Sequence, residues 1–424
     1  MPLKRPTRSN LWAVVRAVFY SLHLARLMII DRRCELMIKT CRSGLRMATG
    51  DRFRDVYFDG LLTTYAYSYI KIEEINSSEF NRQAAAACYP AAFDSIVFTF
   101  WGKLLAKLLP VQTARNFCEH LARQLGEIGV SASTSEMLTH ISSAYWQSRI
   151  YGLLLRRLRP DNVLVTETGE YGLSIACKRH GIHFIELQHG VFDAEHPDAI
   201  PEWVSGSPAE LILPDILACR GEYWIKKLVG TLQGRDHARA IGNELIDLAR
   251  SRRAMRKKRS ELLLVVSSQG LDSERLAQWI ADCVSAAPNE LDWQLVIKLH
   301  PINDKKNLAF DFLCSDKRIT VIKGEDQPNI FDLLADADLH MSIASACHFD
   351  AAALGVTSIV IPLSGYEAML HSIDGRLIHL ACLPSDLWTI RPKVNNEIDT
   401  WTYSTPHFIS NMADLIFQCK LKLQ

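Results

Sequence analysis

The sequence predicts an α/β protein with two doubly wound domains behind a helical N-terminal segment. Three observations carry that prediction. Residues 162–190 read strand, helix, strand within thirty residues, which makes a parallel βαβ unit. Residues 261–362 repeat the alternation over a second, longer stretch. A chain of 424 residues, 48% hydrophobic and 22% charged, has the length for two or three domains and the composition of a folded one.

The first element is the segment 1–60, expected to be helical. MPLKRPTRSN is basic and leads into LWAVVRAVFYSLHLARLMII. Arg16, His23 and Arg26 interrupt that apolar run, so it reads neither as a signal peptide nor as a conventional spanning helix. On a helix, Arg16, His23, Arg26 and Arg33 fall within one arc of about 100°, with Trp12, Val15, Val18, Phe19 and Leu22 around the rest. Two readings fit this amphipathic pattern. The basic stripe docks on an anionic membrane face, or the helix packs on the protein's own core.

Residues 61–248 form the expected N-terminal, acceptor-side domain. The stretch 35–160 reads as mostly helical, with apolar clusters SIVFTFW and GKLLAKLLP. NVLVTE (162–167) is a strand, and GEYGLSIACKRHG (169–181) is a helix with Gly181 near its C-cap. HFIELQHG (183–190) is a second strand with a polar end. The basic run ARSRRAMRKKRS (249–260) reads as a solvated hinge, or as a contact for phosphate or lipid.

The second domain spans 261–395. ELLLVV (261–266), QLVIKLHP (294–301), RITVIK (318–323), LHMSIAS (339–345) and TSIVIP (357–362) are its strands. Helical stretches at about 273–286 and 329–338 separate them, and 396–424 is a C-terminal helix. Two such domains are expected to face each other across a cleft, with ligands beyond the carboxyl ends of the strands. TETGE, LQHG, KLHP and SIAS all fall at those ends.

Composition excludes several function classes. Lys plus Arg number 48 against 47 for Asp plus Glu, so no global field draws the chain to nucleic acid. Eleven cysteines, an odd number with no CxxC pair, read as free thiols of a reducing compartment. GxxxxGK[ST], GxGxxG after a strand, GxSxG and HExxH are all missing, and no cluster has metal-ligand spacing.

The candidate chemistry lies at the strand ends. Lys298 and His300 offer an ammonium and an imidazole to a donor phosphate, and Pro301 ends the strand and aims His300. Ser342 and Ser345 present hydroxyls and loop amides to phosphate, or cap the next helix, which carries Asp350. His189, beside Gly190, suits proton removal from an acceptor hydroxyl near neutral pH. Glu167 and Glu170 at the neighbouring strand end act as base, orient His189, or serve the helix N-terminus.

ELQHG, KLHP and SIASACHFDAAALG, in that order, resemble the bacterial surface-polysaccharide glycosyltransferases of GT-B architecture. Bacterial sialyltransferases and polysialyltransferases share the HP and serine motifs, and teichoic-acid glycerophosphotransferases share the His-Gly and HP pairs. LPDILACRGEYWIKKL followed by AIGNELID (213–247) is similar to the stretch closing the first domain of capsule and O-antigen enzymes. The resemblance covers roughly residues 160 to 375.

It implies a GT-B-like pair of Rossmann-like domains and a nucleotide-sugar donor as substrate. Lys298, His300, Pro301, Ser342, Ser345 and Asp350 would form the donor side; His189, Glu167 or Glu170 would supply the base. No cofactor, metal or nucleic acid is expected. The acceptor would be a glycan or a lipid-linked saccharide, and the location the cytoplasm or the cytoplasmic face of the inner membrane. A CDP-alcohol-dependent polyol-phosphate transferase, a nucleotide-sugar epimerase and a non-catalytic assembly partner are the alternatives.

Overall fold

The computed structural model describes residues 8–29, 33–40, 47–49, 52–73, 92–166, 169–204, 211–257, 259–301, 303–304, 308–323, 328–390 and 399–421. The chain divides into two compact units. The first takes Met1–Ala218, Leu228–Ala238 and Ala413–Gln424; the second takes Cys219–Lys227 and Arg239–Met412.

The first unit contains α1 (Arg8–Ile29), β1 (Leu36–Thr40), a hairpin of β2 (Met47–Thr49) and β3 (Arg52–Arg54), β4 (Tyr69–Glu73) and β5 (Ala92–Asp94). After three helices come β6 (Asn162–Val165), the helix Tyr171–His180, β7 (His183–Leu187), β8 (Ile216–Cys219) and β9 (Ala238–Ala240). The sheet order is β5-β4-β1-β6-β7-β8-β9, and β5 through β8 pair in parallel. Its strands carry short apolar runs buried on both faces, as crossover helices require. Met37, Ile72 and Val163 of the sheet join Leu154, Leu155 and Leu173 of the helices in one buried cluster.

The stretch 35–160 is largely helical among the described residues, as expected, but it also supplies β1, β4 and β5, with β1 inside the sheet between β4 and β6. The helical start ends at Ile29 rather than near residue 60. LMIKT and YIKIE each contain a lysine that breaks the apolar pattern; Lys39 is neutralised by Glu170, far away in sequence, and Lys71 by Asp55, Asp59 and Glu73.

The basic stripe on α1 is corrected too. Arg16 turns inward and pairs with Asp94 at the end of β5. Ser21 accepts from Trp101 Nε1 at 2.7 Å, and Tyr20 and Leu24 pack on the core. The outward face is mostly apolar, with Val14, Val15, Val18, Phe19, Leu22 and Ile29 exposed beside His23 and Arg26.

The second unit contains β10 (Leu262–Ser267), β11 (Trp293–Lys298), β12 (Ile319–Ile322), β13 (Leu339–Ser342), β14 (Thr357–Val360) and β15 (Ile378–Leu380). All pair in parallel in the order β12-β11-β10-β13-β14-β15, as the repeated alternation predicts. The expected helices appear at Ser273–Ser285 and Ile330–Asp336, and the last helix is Phe408–Leu421.

The basic run 249–260 is not a solvated hinge. Its first half belongs to the helix Glu244–Ala254, capped by the Asn243 side chain accepting from Leu245 and Ile246 N–H. Arg253 donates to the Ala335 and Ala337 carbonyls, and Arg256 to Ala337 and Asp338. These cations satisfy the open carbonyls and negative dipole end of the helix Ile330–Asp336. Arg252 pairs with Asp332 and Asp336, so the charge run is a packing surface.

Candidate functional site

In the first sheet the chain builds outward from β1, through β4 and β5 on one side and β6 to β9 on the other. The β1/β6 boundary is therefore its topological switch point, the place where doubly wound sheets bind ligands. Lys39, next to last in β1, forms an ion pair there with Glu170, which precedes the helix Tyr171–His180. Glu170 is thus held by an ammonium. Glu167 lies outside the described residues.

One strand over, Lys71 is wholly buried among three carboxylates: Asp59 at 2.7 Å, Asp55 at 2.8 Å and Glu73 at 3.1 Å. Tyr57, between those aspartates in sequence, meets the His189 ring edge-on with centroids 6.0 Å apart. His189 is exposed. Buried Gln188 donates its side-chain amide to the Gly190 carbonyl at 2.8 Å, and Gly190 takes a φ of +85° that a side chain would disfavour. That turn presents the imidazole to solvent while Tyr57 supports it.

A second titratable group was not singled out by its position in the sequence. Glu186, two residues before Gln188, lines a cavity of about 30 Å³ with Tyr171, Ser174 and Asp198. Burial, reinforced by Asp198, pushes its carboxyl up to about 8. Tyr171 O–H donates to Asp198 at 2.5 Å, which with burial pushes the phenol to about 12. By size the cavity has room for about one water.

The second sheet has its own switch point between β10 and β13. His300 sits just past β11, half-buried, with its N–H donating to Ser268 Oγ at 2.9 Å. Its Nδ1 accepts from the Asn303 amide at 3.1 Å, which puts the proton of the neutral ring on Nε2. Burial lowers the imidazole's pKa against the opposing pull of Asp304. Pro301 opens a turn closed by the Asp304 amide on the His300 carbonyl at 3.2 Å. Ser268 also donates to Asp304, so the loops after β10 and β11 are tied together. Gly270, at φ +73°, leaves room for Asn303, whose Cβ would lie 2.5 Å from any added Cβ.

The other donor-side candidates are placed differently. Lys298 is buried and donates to the Lys323 carbonyl at 3.0 Å. Ser342 is fully buried, its hydroxyl donating to the Ser267 carbonyl at 2.7 Å. Ser345 accepts from the Cys347 amide at 3.2 Å, at the start of the helix Cys347–Ala353. Asp350 accepts from Arg220 at 2.7 Å in a buried pair, with burial raising its pKa and the guanidinium opposing. So Ser345 and His300 remain near loop ends, while Ser342 and Asp350 bond within the fold.

Beneath that loop lies a buried polar chain. Ser267 Oγ meets His340 Nε2 at 2.9 Å, and Ser358 Oγ lies 2.7 Å from both His340 Nδ1 and His348 Nδ1. Ser358 has one proton, so one Nδ1 accepts it while the other donates to the same oxygen.

No protein-family model matches the sequence, and the search of curated proteins gives no match. Solved structures do resemble the fold. UDP-GlcNAc 2-epimerase from Methanocaldococcus jannaschii, in complex with UDP-GlcNAc and UDP, superposes with a TM-score of 0.52 at 11% identity over 90% of this chain and 99% of that one. The wall teichoic acid polymerase TagF, as a variant soaked with CDPG, gives 0.52 at 11% identity over 98% and 99%. The fold is GT-B-like. In this GT-B-like chain each sheet carries polar residues at or beside its switch point, and Lys39, Lys71, Ser268 and Asp304 are among those that motif spacing did not reveal. Their only trace in the sequence is a charge or hydroxyl set inside or just after an apolar strand.

Proposed function

We propose that this chain is a transferase of bacterial surface-polysaccharide assembly, moving a sugar from a nucleotide-sugar donor to a glycan or lipid-linked acceptor. The observation that carries the reading is His300 at the carboxyl end of the second sheet. Its Nδ1 is tied to Asn303 and the ring proton lies on Nε2, a donor suited to a phosphate oxygen. In the first unit, exposed His189 against Tyr57 is the general base for the acceptor hydroxyl. The acceptor oxygen bonds to the anomeric carbon as the bond to the donor phosphate breaks, the nucleotide leaves with its phosphate, and His189 takes the hydroxyl proton. The donor charge is met by His300 and loop amides, and no metal is assigned to the step.

A second reading, polyol-phosphate transfer from a CDP-alcohol, draws support from the likeness to TagF. A thermal-shift series with UDP, GDP, CDP and CMP tests the donor site, because a ligand of the folded state raises the Tm by mass action. Stabilisation by UDP or GDP and a product lacking added phosphate by mass spectrometry support glycosyl transfer. A product carrying new phosphate supports the second reading. Conversion of donor without acceptor, or polymer formation by a variant lacking both His189 and His300, overturns both.

A further inference from the structure

α1 is held to the first unit on one side only. Ala17, Tyr20, Ser21 and Leu24 face inward, and Arg16 is anchored on Asp94. On a helical wheel Val14, Val18, Ile29, Leu22, Val15 and Phe19 then lie within one arc of roughly 140°, into which exposed Arg26 also falls near the end of the helix. All six are exposed, Leu22 by 69% and Ile29 by 79%. A 22-residue helix is about 33 Å long. The exposed apolar residues run from Val14 to Ile29, about 24 Å of that length, and such a stripe is not left in water by chance, since burying it is favourable. No described helix is long and apolar enough to cross a membrane.

The charge at the end of α1 says what covers the stripe. Arg157 donates to the Ile29 carbonyl at 3.0 Å, fixing the end of α1 to the helix Thr134–Leu158. A cavity of about 560 Å³ opens there, lined by Arg33, Arg156, Arg159, His180 and Lys420 together with Asp161. Asp161 is shared by Arg33 and Lys420 at 3.1 Å each, and Glu35 lies 3.6 Å from Lys420. Four cations against two carboxylates leave the pocket positive. Arg26, in the last turn of α1, is exposed beside it in sequence. A second copy of the same surface would bring like charges together, whereas an anionic lipid layer satisfies both features.

We propose that α1 lies in the surface of an anionic membrane, its apolar arc among the acyl chains, with a lipid phosphate in the basic pocket at its end. This is independent of the transfer reaction. It differs from a basic-stripe contact, because Arg16 is inside the protein and the lipid-facing arc is apolar but for Arg26 near the end of the helix.

Flotation of the full chain with vesicles tests it. Phosphatidylcholine vesicles containing 30% phosphatidylglycerol, taken as about one anionic lipid in three, are compared with pure phosphatidylcholine. The wild type is expected to float with the anionic vesicles and bind the neutral ones at least tenfold less. Val18→Gln with Leu22→Gln should weaken binding to both at least tenfold. Arg33→Glu with Arg156→Glu should cost about fivefold per charge removed on the anionic vesicles alone. Unchanged circular dichroism and Tm show that the variants are folded. Wild type that stays in solution, equal binding to both vesicles, or variants that bind like wild type each overturn the proposal. So does a dimer in sedimentation velocity that Val18→Gln with Leu22→Gln dissolves while vesicles are ignored.

Discussion

Lys39 and Glu170 stand 131 residues apart and form an ion pair at the switch point of the first sheet. Their side chains are only 9% and 15% exposed, so neither charge is well solvated without the other. The pair fixes the start of the helix Tyr171–His180 against β1, and makes Glu170 a structural partner before anything else.

Removing one member should be costly. Lys39→Met is expected to lower stability by about 3 kcal/mol in urea denaturation, since it leaves a buried carboxylate uncompensated. The double variant with Glu170→Gln should recover most of that loss. Equal losses in the single and double variants would show that the lysine stem, not its charge, is what matters.

His300→Ala should weaken nucleotide binding while leaving the Tm of the ligand-free protein nearly unchanged. A hydrogen bond to a charged phosphate is worth about 1.5–3 kcal/mol, or roughly ten- to a hundredfold in affinity. Calorimetry reads the dissociation constant directly. Because burial lowers the His300 pKa, the ring is neutral at pH 7, and donor affinity should be flat from pH 7 to pH 8.

His189→Ala should reduce turnover by about 10²–10⁴-fold, the usual cost of losing a general base. The loss should fall on kcat and kcat/KM together, with donor affinity unchanged. Glu167→Gln is the control. If it is the crippling variant and His189→Ala is mild, the acid is the base and His189 only positions the acceptor.

Glu186 makes the first unit sensitive to alkali. Its carboxyl is raised from 4.5 to about 8, so above the unfolded value the unfolded chain holds fewer protons than the folded one. Stability is lost as pH rises through that window. Glu186→Gln is expected to stabilise the protein by about 2–3 kcal/mol at pH 7 and to flatten the slope of denaturation midpoint against pH. A slope unaltered by the substitution would assign it to another group.

His348 gives the second unit the opposite dependence. Burial lowers its pKa from 6.5 to about 3, and His340 beside it is lowered as well. The unfolded chain binds the proton first as pH falls below 6.5, so stability drops in acid. Between pH 7 and pH 5 His348 alone should account for about 2 kcal/mol, which His348→Gln would remove. Chemical denaturation at the two pH values checks this.

The sequence by itself determined the α/β class and the second sheet, because β10 to β14 are short, mostly apolar stretches separated by helical periods. It also determined the turn at Gly190 and the placement of His189 and His300 past strand ends, since glycine admits a positive φ and proline fixes the backbone locally. Tertiary structure decided the rest. β1 and β4 are strands although each contains a lysine, because Glu170, Asp55 and Asp59 from outside those strands, with Glu73 at the end of β4, compensate those charges. It turned Arg16 inward onto Asp94, made a helix-capping surface of the arginines at 252–256, and tied Asp350 to Arg220. In each case the fate of a charge depends on a partner brought near only by folding, and local periodicity carries no record of that partner.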